Sequence, residues 1–447
     1  MKKFIETIKN IFKIEDLRKR LVYTLGIILI YRLGSHIVLP GINPASLGAF
    51  TSAAQEGLLG MLDLFSGGAF SNASIFALGI MPYISASIVV QLLTLAVPYF
   101  QRMQKEGESG RTKMNQITRY LTVAVTAVQA PAYIANIQGQ FSSAVSPVML
   151  NTHILGMTAF SLSAFVLLVV STLFVMWLGE KITDKGIGNG ISLIIMIGII
   201  ARFPFAIKAE FISRITEMNG GPIIFVIEIL MLMLVISLCV LLVQGTRRIP
   251  VQYAKRIVGN KQYGGVRNFL PLKVNAAGVM PIIFAQAIMF VPLTFISITE
   301  NSSSGFWSGF IDYNRLGYNA VFFLLIIVFT YFYTAITINP NQIAEDLKKN
   351  GGFIPGVKPG KQTTNFIDDV MSKITLPGSI FLGLVAILPA IVRIFGVNQQ
   401  FGQFFGGTSL LIMVGVVLDT LQQIDSHLKM RNYDGLTKTG RFMGRSM

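Results

Sequence analysis

The sequence predicts an all-α polytopic membrane protein with ten transmembrane helices in two pseudo-symmetric, inverted halves of five helices each. Charged residues make up only 13% of the chain and hydrophobic residues 52%, whereas a soluble domain usually has about 25% charged residues. Apolar runs of about 20 residues, enough to cross a bilayer, occur ten times. An odd number of spans in each half inverts the second half relative to the first, as in inverted repeats.

The predicted spans are separated mostly by short loops. They lie at 21–39, 75–97, 117–136, 154–178, 188–203, 222–243, 275–296, 318–338, 375–394 and 407–424. A further apolar stretch at 61–74 is too short and too rich in Gly and Ser to span, which predicts a re-entrant or half-length helix. Residues 1–20 carry apolar side chains at helical spacing among charges, which predicts an amphipathic segment on the membrane surface.

The distribution of Lys and Arg predicts the orientation. With the N-terminus inside, the six segments on that side hold 31 of the 37 Lys and Arg residues. Because cytoplasmic loops carry the excess of these residues, both termini are predicted to be cytoplasmic. The predicted domains are a cytoplasmic amphipathic segment (1–20), an N-terminal half with spans one to five (21–203), span six with the external loop before it (204–243), a cytoplasmic loop (244–274), spans seven to ten with a second cytoplasmic loop at 339–374 (275–424) and a cytoplasmic basic tail (425–447).

Residues that carry enzyme or metal chemistry do not occur in recognisable patterns. The three histidines are far apart, Cys239 is the single cysteine, and the glycines of GIGNG (186–190) do not follow a strand. A dinucleotide or P-loop motif would require that strand. We therefore expect no catalytic residue, no metal site and no cofactor.

Few ionisable residues lie inside the predicted spans, where they are costly. For Arg32 we favour a structural role, snorkelling outward or pairing within the bundle, and for Glu228 access to lipid headgroups is as good an explanation as function. An ion-coupled transporter with inverted repeats normally needs carboxylates near the midplane. None is convincingly placed there, but the transporter stays the alternative to a passive channel.

Spans two and seven contain polar residues and prolines. Ser87 and Gln91 lie in span two, Asn275 opens span seven, and Pro82 and Pro281 favour kinks. Such helices pack loosely and bind one another through hydrogen bonds. Ordinary interhelical contacts explain these residues equally well.

Two predicted cytoplasmic loops are unusually large. Residues 247–269 contain six basic residues, no acidic one and three interleaved aromatics, and 249–256 (IPVQYAKR) alternates as a strand does. The second loop, 339–364, carries four lysines. Basic residues among aromatics suit a polyanion such as RNA, while the positive-inside bias and anionic lipid account for the charge alone.

Several segments together resemble the bacterial SecY family, the channel subunit of the Sec preprotein translocase. They are FSGGAFSNASIFALGIMPYISASI (65–88), KEGESGR (105–111), MWLGEKITDKGIGNGIS (176–192), YAKR (253–256), PLKVNAAGVMP (271–281) and FGGTSLLI (405–412). Matching segments run from about residue 18 to about residue 434. The resemblance implies a channel in the bacterial cytoplasmic membrane that passes unfolded secretory proteins and releases apolar segments laterally into lipid.

The resemblance also implies partners: the small membrane subunits SecE and SecG, the SecA ATPase, the ribosome with its RNA and the proteins of the tunnel exit, signal peptides and nascent chains, and membrane lipids. Lys358 departs from the family pattern, because this chain has GVKPG where the family usually has GIRPG. Lysine keeps the charge but lacks the planar fork of arginine.

Four groups of site residues are implied by the same resemblance. A ring of apolar side chains at the constriction would be Ile80, Ile84, Ile191, Ile195, Ile283 and Ile412. A plug within 61–74 would include Phe65, Ser66, Gly67, Gly68, Ala69 and Phe70, and a lateral gate between spans two and seven would use Ser87, Gln91 and Asn275. Docking of the ribosome or the ATPase would use Arg247, Arg248, Lys255, Arg256 and Lys358. Ile84 and Ile283 lie about nine residues into their spans, roughly 13 Å deep and close to mid-bilayer.

Overall fold

The chain forms two compact units in a computed structural model. The first unit consists of Met1–Ala206 with Val416–Met447, and the second is Ile207–Gly415. The structure describes residues 14–44, 57–140, 145, 152–154, 157–216, 221–253, 256–258, 261–263, 267–286, 288–289 and 315–439. Most of the segment predicted at 1–20, much of span seven and the end of the basic tail lie outside these ranges.

Helices make up most of both units. Those that begin in the first unit are α1 Glu15–Gly34, α2 Gly57–Ser66, α3 Met81–Ala96, α4 Pro98–Lys105, α5 Glu108–Gln140, α6 Ala159–Lys185 and α7 Gly190–Ile215. Those that begin in the second unit are α8 Gly221–Gln244, α9 Leu316–Thr337, α10 Pro340–Lys349, α11 Lys361–Ile394, α12 Gln399–Gly402 and α13 Gly407–Thr439. The unit boundaries fall inside α7 and α13.

Within the described ranges, seven helices are long and apolar enough to cross a membrane, and α3 with α4, bent by 101° where they meet, would make an eighth. Of the remaining predicted spans, the first corresponds to α1, which begins among charged residues, and the seventh is described only in part. The predicted helical, multi-pass class is confirmed. Exposed apolar side chains on α8, such as Ile223, Leu230 and Leu241, suit contact with lipid.

The prolines of spans two and seven do not kink helices. Pro82 is the second residue of α3, and Pro281 is the second residue of a helical segment at 280–286. At these positions proline removes no intrahelical hydrogen bond, so it starts a helix rather than bending it. Helix α3 is therefore shorter than predicted, 16 residues or about 24 Å, because residues 67–80 form turns.

The two large basic loops fold together in the second unit, which the sequence did not predict. Strand β3 (Thr246–Tyr253) pairs antiparallel with β6 (Arg267–Lys273), and β7 (Gly352–Phe353) from the second loop pairs with the other edge of β3. We call the three strands, α10 and the start of α11 the sheet module. Two two-stranded pairs complete the described strands: β1 (His153–Ile154) with β2 (Met157–Thr158), and β4 (Arg256–Val258) with β5 (Lys261–Tyr263).

The sheet module has its own apolar core. Its buried members are Ile249, Val251, Leu272, Leu347, Ile354, Ile367 and Met371. Ile249 and Val251 are buried while Arg248 and Pro250 are exposed, so the strand-like alternation noted at 249–256 corresponds to a half-buried strand over its described part. The basic loops are thus held on a folded support.

We predict that Ile249→Ala destabilises the sheet module by about 2–5 kcal/mol, because truncation of a buried isoleucine leaves a cavity. Hydrogen exchange of the β3 and β6 amides in the detergent-solubilised protein measures the effect. Phe269→Ala is the control: this side chain is 53% exposed on the same sheet, and a change there should stay within about 0.5 kcal/mol. Equal exchange in the two variants would show that the core does not hold the strands.

Candidate functional site

The stretch predicted as a half-length helix at 61–74 is part helix and part turn. Helix α2 begins earlier, at Gly57, and ends at Ser66. Gly67 and Gly68 then adopt φ values of +65° and +92°, which glycine reaches without the steric cost that other residues pay. These two glycines end the helix. We call residues 57–80 the plug segment.

The plug segment is buried in the first unit. Ala69 is fully buried, and Phe65, Ser66 and Phe70 are nearly so. The ring of Phe70 packs on Tyr133 of α5 with 4.8 Å between centroids. Ala73 and Ala77 join the same apolar core as residues of α5 and α6. All of the predicted plug side chains that the structure describes therefore lie inside the unit.

Side chains from neighbouring helices donate hydrogen bonds to four backbone carbonyls of the plug segment, one of them from the Ser171 hydroxyl of α6 to Ile75 O. The Tyr31 hydroxyl donates to Ser66 O (3.2 Å), Arg32 Nη1 to Gly67 O (3.0 Å) and the Tyr133 hydroxyl to Phe70 O (2.9 Å). Arg32 thus has the structural role that the sequence favours. It pairs within the bundle and does not snorkel outward. These bonds satisfy carbonyls that the glycine turn removes from the helix.

An ion pair joins the plug segment to α7. The guanidinium of Arg202 contacts the carboxylate of Asp63 and the hydroxyl of Ser71. Neither Arg202 nor Asp63 was predicted from the sequence to be a site residue. A carboxylate in an otherwise apolar stretch was the available signal, because such a group is costly without a partner.

The backbone of the plug segment approaches α7 closely where two glycines meet. A Cβ on Gly198 would lie 2.8 Å from Phe65 O, and one on Gly67 would lie 2.6 Å from Gly198 Cα. Neither contact is compatible with a side chain. Gly198 therefore lets α7 pass directly beneath the turn.

Four of the six isoleucines predicted for the apolar ring belong to the first unit. Ile80 directly precedes α3, and the amide of Ile84 donates to its carbonyl (3.1 Å), so the two occupy one helical turn. Ile191 and Ile195 lie one turn apart near the start of α7. Ile80 and Ile195 are buried, while Ile84 and Ile191 are half-buried.

The other two isoleucines belong to the second unit. Ile283 is half-buried in the helical segment 280–286, and Ile412 is buried near the start of α13. In both units these isoleucines lie within the first two turns of a helix or, for Ile80, directly before one.

Two of the three predicted gate residues, Gln91 and Asn275, carry amide oxygens that lack partners among the described residues. Gln91 donates weakly to Ser87 Oγ within α3 (3.5 Å), and its Oε1 is buried and unbonded. Asn275 Oδ1, in the second unit, is likewise buried and unbonded. An unsatisfied buried acceptor costs about 1–3 kcal/mol, so both residues are available for hydrogen bonds to another element.

The predicted docking residues lie on or beside the sheet module. Arg247 and Arg248 are exposed on β3, and Lys358 is exposed in the turn before α11. Thr363 Oγ1 donates to the carbonyl of Lys358 (3.0 Å) and fixes that turn. Arg256 lies in β4, but Lys255 and the side chain of Arg256 are outside the described part of the chain.

Glu228 is buried in an ion-pair cluster of the second unit, so headgroup access is the wrong explanation for it. Arg214 Nη2 lies 2.6 Å from Glu228 Oε1, and Arg214 Nε lies 2.8 Å from Glu210 Oε1. The second oxygen of Glu210 accepts the amide of Asn398 (2.8 Å). The spacing of Glu210 and Arg214, one helical turn apart, was the signal in the sequence.

These arrangements provide contacts between helices rather than reactive groups. Among the described residues, no group of three or more His, Cys, Asp or Glu could hold a metal ion. Asp63, Glu210 and Glu228 each face an arginine. What the geometry offers is apolar side chains at helix starts, a buried turn held by hydrogen bonds, and exposed arginines on a folded support.

Comparison with known proteins identifies the family. The model of the SecY family matches residues 74–421. The chain belongs to the SecY family. The match begins within the plug segment and includes all six isoleucines and the sheet module.

Curated relatives of the family cover nearly the whole chain. A protein translocase subunit SecY from Streptomyces scabiei is 43% identical over 435 residues, 96% of this chain and 98% of the relative. The subunit of the same name from Mycobacterium bovis (strain ATCC BAA-935 / AF2122/97) is 42% identical over 452 residues, 97% and 99% of the two chains. The family predicted from the sequence is confirmed.

Solved structures share the fold. One described as the structure of a protein-conducting channel has a TM-score of 0.63 and 17% identity over 95% of both chains. Sec61 in the canine ribosome–channel complex from the endoplasmic reticulum has a TM-score of 0.57 and 16% identity, again over 95% of both chains. At such identities the comparison establishes the fold alone.

Proposed function

We propose that the chain is the central channel subunit of a Sec protein translocase. It passes unfolded secretory proteins across the bacterial cytoplasmic membrane and releases apolar segments laterally into lipid. The observation that carries this proposal is the match, over nearly the full length, to relatives named as protein translocase subunits. The plug segment, buried yet held largely through backbone carbonyls, fits a movable closure.

The buried carboxylates argue against the alternative, an ion-coupled secondary transporter. Such a transporter needs carboxylates that bind and release an ion during the cycle. Asp63 and Glu228 instead pair with Arg202 and Arg214. The arginine beside each carboxylate occupies the place that the transported ion would take. This favours a channel whose energy is supplied by partner proteins.

We propose that the six isoleucines form the constriction of the channel. An apolar ring binds no ions and gates by dewetting. Branched aliphatic side chains fit an extended polypeptide without preference for its sequence, which suits a channel with many clients. Their positions at or just before the starts of α3, α7, α13 and the helical segment 280–286 support the proposal.

A photo-crosslinker placed at Ile84 or Ile283 should capture a stalled secretory nascent chain, because both positions would face the path. The same crosslinker at Val89 or Ile288, each 41% exposed and five residues further along, lies on another helical face and serves as the control. Capture at 84 and 283 should exceed that at the controls about tenfold, read from labelled adducts on gels. If neither position captured the nascent chain and the protein showed saturable uptake of a small solute, the ion-coupled transporter would be the correct function instead of the channel.

We propose that spans two and seven border a lateral gate, with Ser87, Gln91 and Asn275 as its polar contacts. The unbonded amide oxygens of Gln91 and Asn275 support a role in contacts that form and break. Interhelical hydrogen bonds in membranes average about 0.6 kcal/mol, weak enough for a gate that opens when an apolar signal segment arrives.

Cysteines replacing Gln91 and Asn275, in a Cys239→Ala background, should form a disulfide that stops export. Oxidised membranes should retain less than about a tenth of preprotein translocation, and reduction should restore it, because only the covalent bond holds the gate shut. The two single-cysteine variants, treated alike, control for oxidation damage. Unimpaired export with the bridge fully formed would remove these residues from the gate.

We propose that the sheet module faces the cytoplasm and docks the SecA ATPase and the translating ribosome, with SecE and SecG as membrane partners. Both termini lie on the same side, since 31 of 37 Lys and Arg residues fall in the segments predicted to be cytoplasmic. Arg247, Arg248 and Lys358 are exposed on one folded support, which presents positive charge to ribosomal RNA or acidic protein surfaces.

Arg247→Glu combined with Arg248→Glu should weaken binding of ribosomes and of SecA to proteoliposomes. For ribosomes, the slope of log affinity against log salt should fall by about one for each RNA phosphate group that the variant no longer neutralises. Lys185→Glu, a charge reversal at an exposed residue outside the sheet module, is the matched control and should leave both affinities unchanged. Unchanged binding of the double variant at every salt concentration would leave lipid attraction as the role of these charges.

A further inference from the structure

The carboxylate of Asp63 makes two different kinds of contact with its two oxygens. Oδ1 accepts the backbone amide of Ser71 (2.8 Å), which closes the turn of the plug segment, and Oδ2 contacts Arg202 of α7. The carbonyl of Asp63 also accepts the amide of Gly68 (2.9 Å). Asp63 therefore both closes the turn of the plug segment and attaches that turn to α7.

Arg202 contacts the folded form of the turn specifically. Its guanidinium contacts both Asp63 and the Ser71 hydroxyl, which are eight residues apart and meet only when the turn is closed. Gly68 lies against the guanidinium, where a Cβ would be 2.8 Å from Cζ. An unfolded or displaced turn would lose both partners at once.

This pair differs in kind from the other polar contacts of the plug segment. Tyr31, Arg32, Tyr133 and Ser171 all donate to backbone carbonyls, which carry no net charge. The Asp63–Arg202 pair is charge on charge, with the Asp63 side chain 4% exposed, so separating the partners leaves an unpaired charge in a dry site, which is costly.

We infer that Arg202 is a positioning residue that acts as a latch for the plug segment. Its contacts with Asp63 and Ser71 set how readily the channel leaves its closed state. The inference rests on the proposed channel function and names a regulation of that same site. The latch is strong while the site is dry. It weakens when an arriving chain admits water, because the attraction between two charges falls as the local dielectric constant rises.

The latch predicts a defined set of variant behaviours. Arg202→Gln and Asp63→Asn each remove one charge and leave the other unpaired, whereas the double variant removes both. Asp63→Asn keeps the side-chain oxygen that accepts the Ser71 amide, so the turn can still fold in it. Lys208→Gln removes an exposed positive charge from the same helix and is the control.

Two readouts separate gating from stability: ion conductance of the idle translocase complex in planar bilayers, and export of a preprotein with a shortened apolar signal core. Each single variant should raise idle conductance about tenfold and should allow export of the preprotein with the shortened signal core. The reason is that this preprotein then needs a smaller preference for the open over the closed channel to displace the plug segment. The idle conductance of the double variant should rise by much less than the product of the two single-variant increases. Lys208→Gln should match the native chain.

The latch would be overturned if Asp63→Asn had the same idle conductance as the native chain. It would also be overturned if the increase in the double variant equalled the product of the two single-variant increases. A native complex that moves no preprotein at all would instead overturn the proposed function. The two failures are distinguishable because the first is measured in a complex whose export of a normal preprotein is intact.

Discussion

The structure depends on one constraint, that a charge or an open backbone carbonyl inside hydrocarbon must find a partner within the protein. The described buried carboxylates illustrate it: Asp63 faces Arg202, and Glu210 and Glu228 share Arg214. The glycine turn after Ser66 illustrates it for the backbone, since three side chains of neighbouring helices donate to its carbonyls. The Asp63–Arg202 pair thus holds α2 against α7, and the Arg214–Glu228 pair holds α7 against α8.

This constraint explains how a segment can be both buried and movable. An apolar core alone would hold residues 57–80 through side chains, as Phe70 is held by Tyr133. The turn instead gives up helical hydrogen bonds and takes replacements from its surroundings, and water can supply the same bonds once the segment leaves. The cost of displacement then concentrates in the ion pair at Arg202, because its separation leaves unpaired charges while the site is dry. A closed state of this kind is stable when dry and opens when hydrated.

Much of the fold followed from the sequence because membrane spans are continuous and apolar, and the basic residues between them are unevenly distributed. Pairing was not predictable, because it depends on distant residues. Asp63 and Arg202 are 139 residues apart, and Glu228 meets Arg214 only once α7 and α8 pack. The sheet module was missed for the same reason: β7 joins β3 across about a hundred residues. The role of Pro82 was misjudged because the sequence did not reveal that the turns at 67–80 delay the start of α3.

The most direct test of this account is the exposure of the plug segment in the idle and the engaged complex. A cysteine replacing Ala69, which is fully buried, would be labelled with a membrane-impermeant maleimide from the outer side in a Cys239→Ala background. The account predicts little labelling in the idle complex and labelling at least about tenfold faster when a stalled preprotein occupies the channel. Equal labelling rates in the two states would contradict it, because the segment would then remain in place while a chain passes.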